Sequence, residues 1–265
     1  MATQLGEIAG AHWEGLQYLL PGRGVGLYLI GSAALGDFQP ASSDIDTITV
    51  VDRELDRADQ QVLRGVHADI NREYPSVRYD TTYVPRAWLG KSMDPATAPP
   101  TPFSQDGLLQ LGQRAEVHPI TWLALTRGIR VAGEEIEDLD VHVDLQAARA
   151  YALSNLHGYW AALGAELTLA TRRRSPRLVL EEPVAVVWAV LGVTRPAAFL
   201  ETGELLSKTE AAEYLADVFP QFASLARRCV EFRRGEHEVF TMADARTAAE
   251  IVREVIDRAS GLAQS

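Results

Sequence analysis

The chain has 265 residues, 47% of them hydrophobic and 23% charged, an ordinary globular composition long enough for two compact domains or one large one. A formal net charge of −11 argues against a non-specific nucleic-acid binder, whose phosphate affinity comes from Lys and Arg, and suits a small cationic partner. The single cysteine, Cys229, excludes an internal disulfide and reads as a buried thiol. No apolar run is expected to reach the roughly 18 residues that span a bilayer, and the N-terminus lacks a basic-then-apolar leader. The cytoplasm is the expected compartment, with neither membrane nor nucleic acid as partner.

Ile8, Trp13, Leu16, Leu19 and Leu20 fall at helical spacing, which predicts a helix over 7–20 ended by Pro21-Gly22. Gly22, Gly24 and Gly26 precede a strand rather than follow one, so they are not a dinucleotide-binding loop. Strands are expected over 25–30 and 44–51, then a polar helix over 54–73 and a third strand from Val77 to Val84. Pro95 through Pro102, with four prolines in eight residues, predicts a loop. A short helix over 119–128 and a strand over 129–132 complete a small mixed sheet expected to carry its helices on one face.

After the acidic stretch Glu134 to Asp144 the pattern turns wholly helical, over 145–170, 181–194, 208–218, 220–234 and 242–262. Ser207-Lys-Thr-Glu210 is a capping box and Thr241-Met-Ala-Asp244 a variant of one. The fold class expected is therefore α+β: a mixed-sheet domain over 1–142 and an all-helical domain over 143–265, with the ligand site in the cleft between them.

The most specific pattern is Gly31-Ser32 followed, after eleven residues, by Asp44-Ile45-Asp46 in a β-branched segment. Carboxylates at i and i+2 of a strand share a face and repel unless something positive lies between them, for which a divalent metal is the usual answer. The Gly-Ser pair ends the preceding strand and offers a tight turn, a hydroxyl and backbone N–H groups to phosphate oxygens. Ser32 is equally suited to cap a helix, and Ser43 to orient Asp44 or form a turn.

This run resembles the signature of the DNA polymerase β-like nucleotidyltransferase superfamily, Gly-Ser, a spacer, then Asp-x-Asp. Within it, Gly36-Asp-Phe-Gln-Pro40-Ala-Ser-Ser43-Asp44-Ile-Asp46 is most similar to the aminoglycoside O-nucleotidyltransferases that modify streptomycin and spectinomycin, with one extra residue after Pro40. The resemblance implies transfer of AMP from ATP to a hydroxyl of a small cationic antibiotic or related aminocyclitol, with Mg²⁺ as cofactor and a monomer as the working unit. It makes Asp44 and Asp46 metal ligands and Gly31, Ser32 and Ser43 nucleotide-binding. A third carboxylate is required on the neighbouring strand, and Asp80 alternates with Tyr79 and Thr81 to share the face of the other two. Where the family carries a glutamate as general base, Asp80 is one methylene shorter, and stands either as that base or chiefly as a third metal ligand.

The resemblance continues into the helical half. Arg195 and Lys208 match positions that contact the nucleotide, whereas the family's first lysine is replaced by Glu204. Glu181 and Glu182 match the acidic stretch that holds the acceptor, although acidic residues at a helix start are also favoured by its dipole. Trp88, Trp122, Trp160 and Trp188 are candidate stacking walls, with Trp188 expected in the core. The same chemistry on a protein or metabolite hydroxyl, and a nucleotide-binding regulator without turnover, are the alternative readings.

Overall fold

The computed structural model describes residues 2–91, 101–111, 117–172 and 183–262. These form two compact units, one of Met1–Phe38 with Ser43–Leu145, the other of Gln39–Ser42 with Gln146–Ser265.

The first unit is built on α1 (Ala2–Leu19), β1 (Gly24–Leu29), a four-residue helical turn α2 (Gly31–Ala34), β2 (Ile45–Val51), α3 (Arg57–Glu73) and β3 (Tyr79–Pro85). A hairpin of β4 (Phe103–Gln105) and β5 (Leu108–Gln110) follows, then α4 (Pro119–Thr126) and β6 (Ile129–Gly133). The six strands lie in the order β5-β4-β3-β2-β1-β6. Only β2 and β3 run parallel, as expected where a helix carries the chain from one strand to the next. That helix, α3, starts at Arg57 because the Asp56 side chain accepts from the N–H groups of Ala58 and Asp59 while the Asp59 side chain returns the bond.

Strand alternation sends Leu27, Leu29, Ile45, Val51, Tyr79 and Tyr83 to one face, where they pack with Ile8, Leu16, Leu63 and Ile70 of α1 and α3. Tyr28, Ile48, Val50 and Val84 face the other way, against Trp88, Trp122, Leu125 and Leu139. Helices therefore cover both faces rather than one. The difference arises at α4, whose Trp122 is buried and whose indole N–H donates to the Lys91 carbonyl at 2.9 Å. The expected proline loop lies mostly outside the described residues, and the hairpin that follows it carries no alternating pattern long enough to be read as strands.

The second unit is helical: α5 (Leu145–Asn155), a π-helical turn at Leu156–Trp160, α6 (Ala161–Arg172), α7 (Pro183–Thr202), α8 (Lys208–Val218), α9 (Ala223–Arg233) and α10 (Met242–Leu262). Ser207 caps α8 with the reciprocal Glu210 bond that its spacing predicts. Two expectations need correction here. α7 runs eight residues past the predicted end at 194, through Pro196, because Ala197, Ala198 and Phe199 are buried and burial outweighs one lost helix bond. By length and composition α7 is also apolar enough to cross a membrane; 61% of its most apolar window is buried inside the unit, where it packs as a core helix. Cys229 lies in the same core, and burial pushes its thiol up to about 12.

Candidate functional site

The parallel register of β2 and β3 pairs Asp46 with Asp80 directly, Cα opposite Cα. Both have the parity of Ile48, Val50 and Val84, so both stand on the face away from α1 and α3. They occupy the second position of each strand, where the cover supplied by Trp88 and Trp122 has ended, and both are half-buried. Asp44 lies two residues before Asp46 with the same parity. The backbone thus brings three carboxylates to one end of one sheet face.

Gly31 fits against this end. It has φ +59°, and a Cβ there would stand 2.7 Å from Asp46 Oδ2. Only glycine combines that backbone with that approach. The Ile30 N–H donates to the Asp46 carbonyl at 2.9 Å, which ties the Gly-Ser turn to the strand bearing the carboxylate. Ser32 sits in the α2 turn and Ser43 two residues before β2 begins, with Gly31 the residue brought against Asp46.

The side chains of the three aspartates do not converge as expected. Among the described residues, no group of three His, Cys, Asp or Glu side chains comes together to hold a metal. The Asp44 carboxylate forms an ion pair with Arg78. The Asp80 carboxylate accepts from the Gly107 N–H at 3.0 Å through Oδ1 and from the Asp106 N–H at 3.3 Å through Oδ2. β4 and β2 flank β3 on opposite sides, and it is the hairpin side that binds the Asp80 carboxylate. Sequence spacing reports which face a side chain takes but not which lateral neighbour engages it. Burial raises the Asp80 pKa most, the Asp44 and Asp106 charges raise it further, and the two N–H bonds oppose them.

Carboxylate oxygens are the donors a hard divalent cation takes. Asp44 and Asp46 supply carboxylate oxygens from one strand end, and the repulsion of Asp80 by Asp44 is what a cation would relieve.

In the second unit, Arg195 on α7 donates from Nε to the Leu206 carbonyl at 2.7 Å, which ties α7 to the residues leading into α8. Lys208, the first residue of α8, places its ammonium 5.3 Å from the centre of the Trp188 ring. Arg195 and Lys208 are therefore held at the same α7–α8 junction. Trp188 is not a core residue: it is 39% exposed, whereas Trp88, Trp122 and Trp160 are buried. Its indole N–H donates to the Tyr159 hydroxyl at 2.7 Å, and its ring leans on Trp160 with centroids 5.5 Å apart. Tyr159 and Trp160 belong to the π-helical turn, a feature sequence periodicity cannot show. Glu181 and Glu182 lie outside the described residues.

Residues 11–92, which hold β1, the Gly-Ser turn, β2, α3 and β3, match the family model for the nucleotidyltransferase domain. Over nearly its full length the chain is similar in structure to spectinomycin adenyltransferase AAD(9) from Enterococcus faecialis, solved with ATP and spectinomycin. The TM-score is 0.67 at 15% identity, covering 95% of this chain and 98% of that one. No curated protein sequence matches the chain.

Proposed function

We propose that the protein is a Mg²⁺-dependent nucleotidyltransferase that moves AMP from ATP to a hydroxyl of an aminoglycoside or aminocyclitol of the streptomycin or spectinomycin type, releasing pyrophosphate. The observation that carries the reading is the Asp46–Asp80 register pair, with Asp44 two residues away and Gly31 against Asp46, inside the segment that matches the nucleotidyltransferase domain. The likeness to a spectinomycin-bound adenyltransferase supports the acceptor class, as does the acidic net charge of −11 toward a cationic drug.

Asp44 and Asp46 would hold the cation, with Asp80 as a third carboxylate on the same face; bound there, Mg²⁺ supplies charge neutralisation for the phosphates. Asp80 takes the proton of the acceptor hydroxyl as its oxygen bonds to the α-phosphorus and the bond to the pyrophosphate oxygen breaks. Burial raises its pKa, which brings a carboxylate closer to the range where a general base works. Ser32 and Ser43 hydrogen-bond phosphate oxygens, Lys208 and Arg195 offset triphosphate charge, and Glu181 and Glu182 receive the acceptor's ammonium groups.

The test is pyrophosphate release with ATP and Mg²⁺ across an acceptor panel that includes streptomycin and spectinomycin, with Asp46→Asn as control. Turnover on at least one aminocyclitol, nearly abolished in the variant, is expected. Full activity in Asp46→Asn would overturn the assignment, and label appearing on a protein instead of a drug would move the acceptor.

A further inference from the structure

The β4–β5 hairpin is weakly built for a structural element: each strand has three residues, and a single Cα register pair, Thr82 with Phe103, joins it to β3. Three more bonds close that junction, from the Tyr83 N–H to the Pro102 carbonyl at 3.1 Å, from the Thr81 N–H to Ser104 Oγ at 2.7 Å and from Ser104 Oγ to the Tyr79 carbonyl at 3.4 Å. All of these lie at the strand end of the hairpin. A short two-stranded ribbon is marginal by itself, so its tip needs anchors of its own.

It has two. One is the Asp80 carboxylate, gripped through both oxygens by the N–H groups of Asp106 and Gly107. The other is Asn71 in the last turn of α3, whose Nδ2 donates to the Gly107 carbonyl at 2.9 Å. The tip is the two-residue Asp-Gly turn that closes such a hairpin. Asp106 and Gly107 both have positive φ, +51° and +75°, and a Cβ on Gly107 would stand 2.3 Å from Asn71 Oδ1. The Asn71 amide therefore packs against a residue with no side chain, and its bond to the Gly107 carbonyl restrains the residue whose N–H meets Asp80.

We propose that Asn71 and Gly107 are positioning residues of the transferase site: Asn71 locks the hairpin tip, and the tip aims the Asp80 carboxylate. This rests on the reading of Asp80 given above. An aspartate one methylene shorter than the family's glutamate has less reach, so a fixed carboxylate direction matters more to it. A catalytic group displaced by about 1 Å costs about a hundredfold in rate. A partly loosened tip is expected to cost about a tenth of that.

Three variants separate the possibilities. Asn71→Ala removes the donor, Asn71→Asp keeps the volume without the donor, and Asp80→Asn tests the catalytic reading itself. Amide hydrogen exchange at Asp106 and Gly107 is measured in each, without substrates, and kcat and KM are measured with ATP and the best acceptor. Both Asn71 variants are expected to speed exchange of the Gly107 amide and to lower kcat about tenfold, with both KM values within about twofold of wild type. Wild-type exchange at Gly107 in Asn71→Ala, or wild-type kcat in Asn71→Asp, would overturn the proposal. If Asp80→Asn keeps its turnover while the Asn71 variants still loosen the tip, the role given to Asp80 fails and the tip is an anchor without catalytic purpose. Melting temperatures near wild type show that the variants fold.

Discussion

Acidification should destabilise the first unit through a buried histidine pair beneath the sheet. His12 is fully buried; its Nδ1 bonds the Tyr79 hydroxyl at 2.7 Å and its Nε2 the Tyr83 hydroxyl at 2.6 Å. His67 Nε2 bonds the same Tyr83 hydroxyl at 2.9 Å. A neutral imidazole satisfies such bonds with one nitrogen donating and the other accepting; a charged one has no carboxylate partner in this network. Burial, with the His67 charge second, holds His12 well below the ordinary histidine value, and burial holds His67 at about 4. The unfolded chain therefore binds protons that the folded chain refuses, and stability is lost as pH falls from about 6.5 toward those lower values. For His67 alone the loss between pH 7 and pH 5 is about 2 kcal/mol, with His12 adding to it. Asp80 works in the opposite direction, because its raised pKa means the folded protein holds that proton more tightly than the unfolded chain. Urea unfolding at pH 7, 6 and 5 measures the net effect, and a midpoint lower by about 0.5–1 M at pH 5 is expected. His67→Phe should flatten the dependence. A midpoint that does not move with pH, or an unchanged slope in His67→Phe, would refute the reasoning.

Two further outcomes follow from the site. Gly31→Ala forces a side chain onto a backbone at φ +59° and against Asp46 Oδ2, so a loss of about 1–3 kcal/mol in stability and of most turnover is expected, read by thermal melting and pyrophosphate release. Lys208→Ala should raise the KM for ATP about tenfold with little change in kcat, the pattern of lost uniform binding; an unchanged KM would remove Lys208 from the nucleotide site.

The elements that sequence reasoning located well are those whose signal is local. The helices Lys208–Val218 and Met242–Leu262 begin and end where their predicted spans do, because a capping residue and an apolar stripe both lie inside the segment. The shared face of Asp46 and Asp80 was legible for the same reason, since a period of two fixes it. What escaped the sequence depends on partners distant along the chain. The grip of the 106–107 turn on Asp80 spans 26 and 27 residues; Asp106-Gly107 is a local hairpin-turn signal, but its three-residue flanks are too short to read as strands and say nothing of the partner. Trp188 sits in an apolar run that reads as core, yet its neighbours leave its ring half open beneath Lys208. α7 runs past its expected end at 194 and through Pro196 because the burial of Ala197, Ala198 and Phe199, which the local pattern does not show, carries it on.

The same contrast explains how β3 can carry a fixed carboxylate at its end. Asp80 is fixed from three directions by groups that belong to other elements. Thr47 of β2 donates to its backbone carbonyl at 3.0 Å, and the hairpin tip holds its carboxylate. Its neighbour Tyr79 is bound on the opposite face by His12, with Thr47 Oγ1 donating to the same tyrosine hydroxyl at 3.3 Å. Thr47 therefore joins the buried histidine network to the strand residue that bears the charge. Protonating that network would loosen the floor under Asp80, and the raised pKa of Asp80 adds protonation of the carboxylate itself as the pH falls. Turnover should then fail on acidification no later than the unfolding midpoint, and recover when the pH is restored.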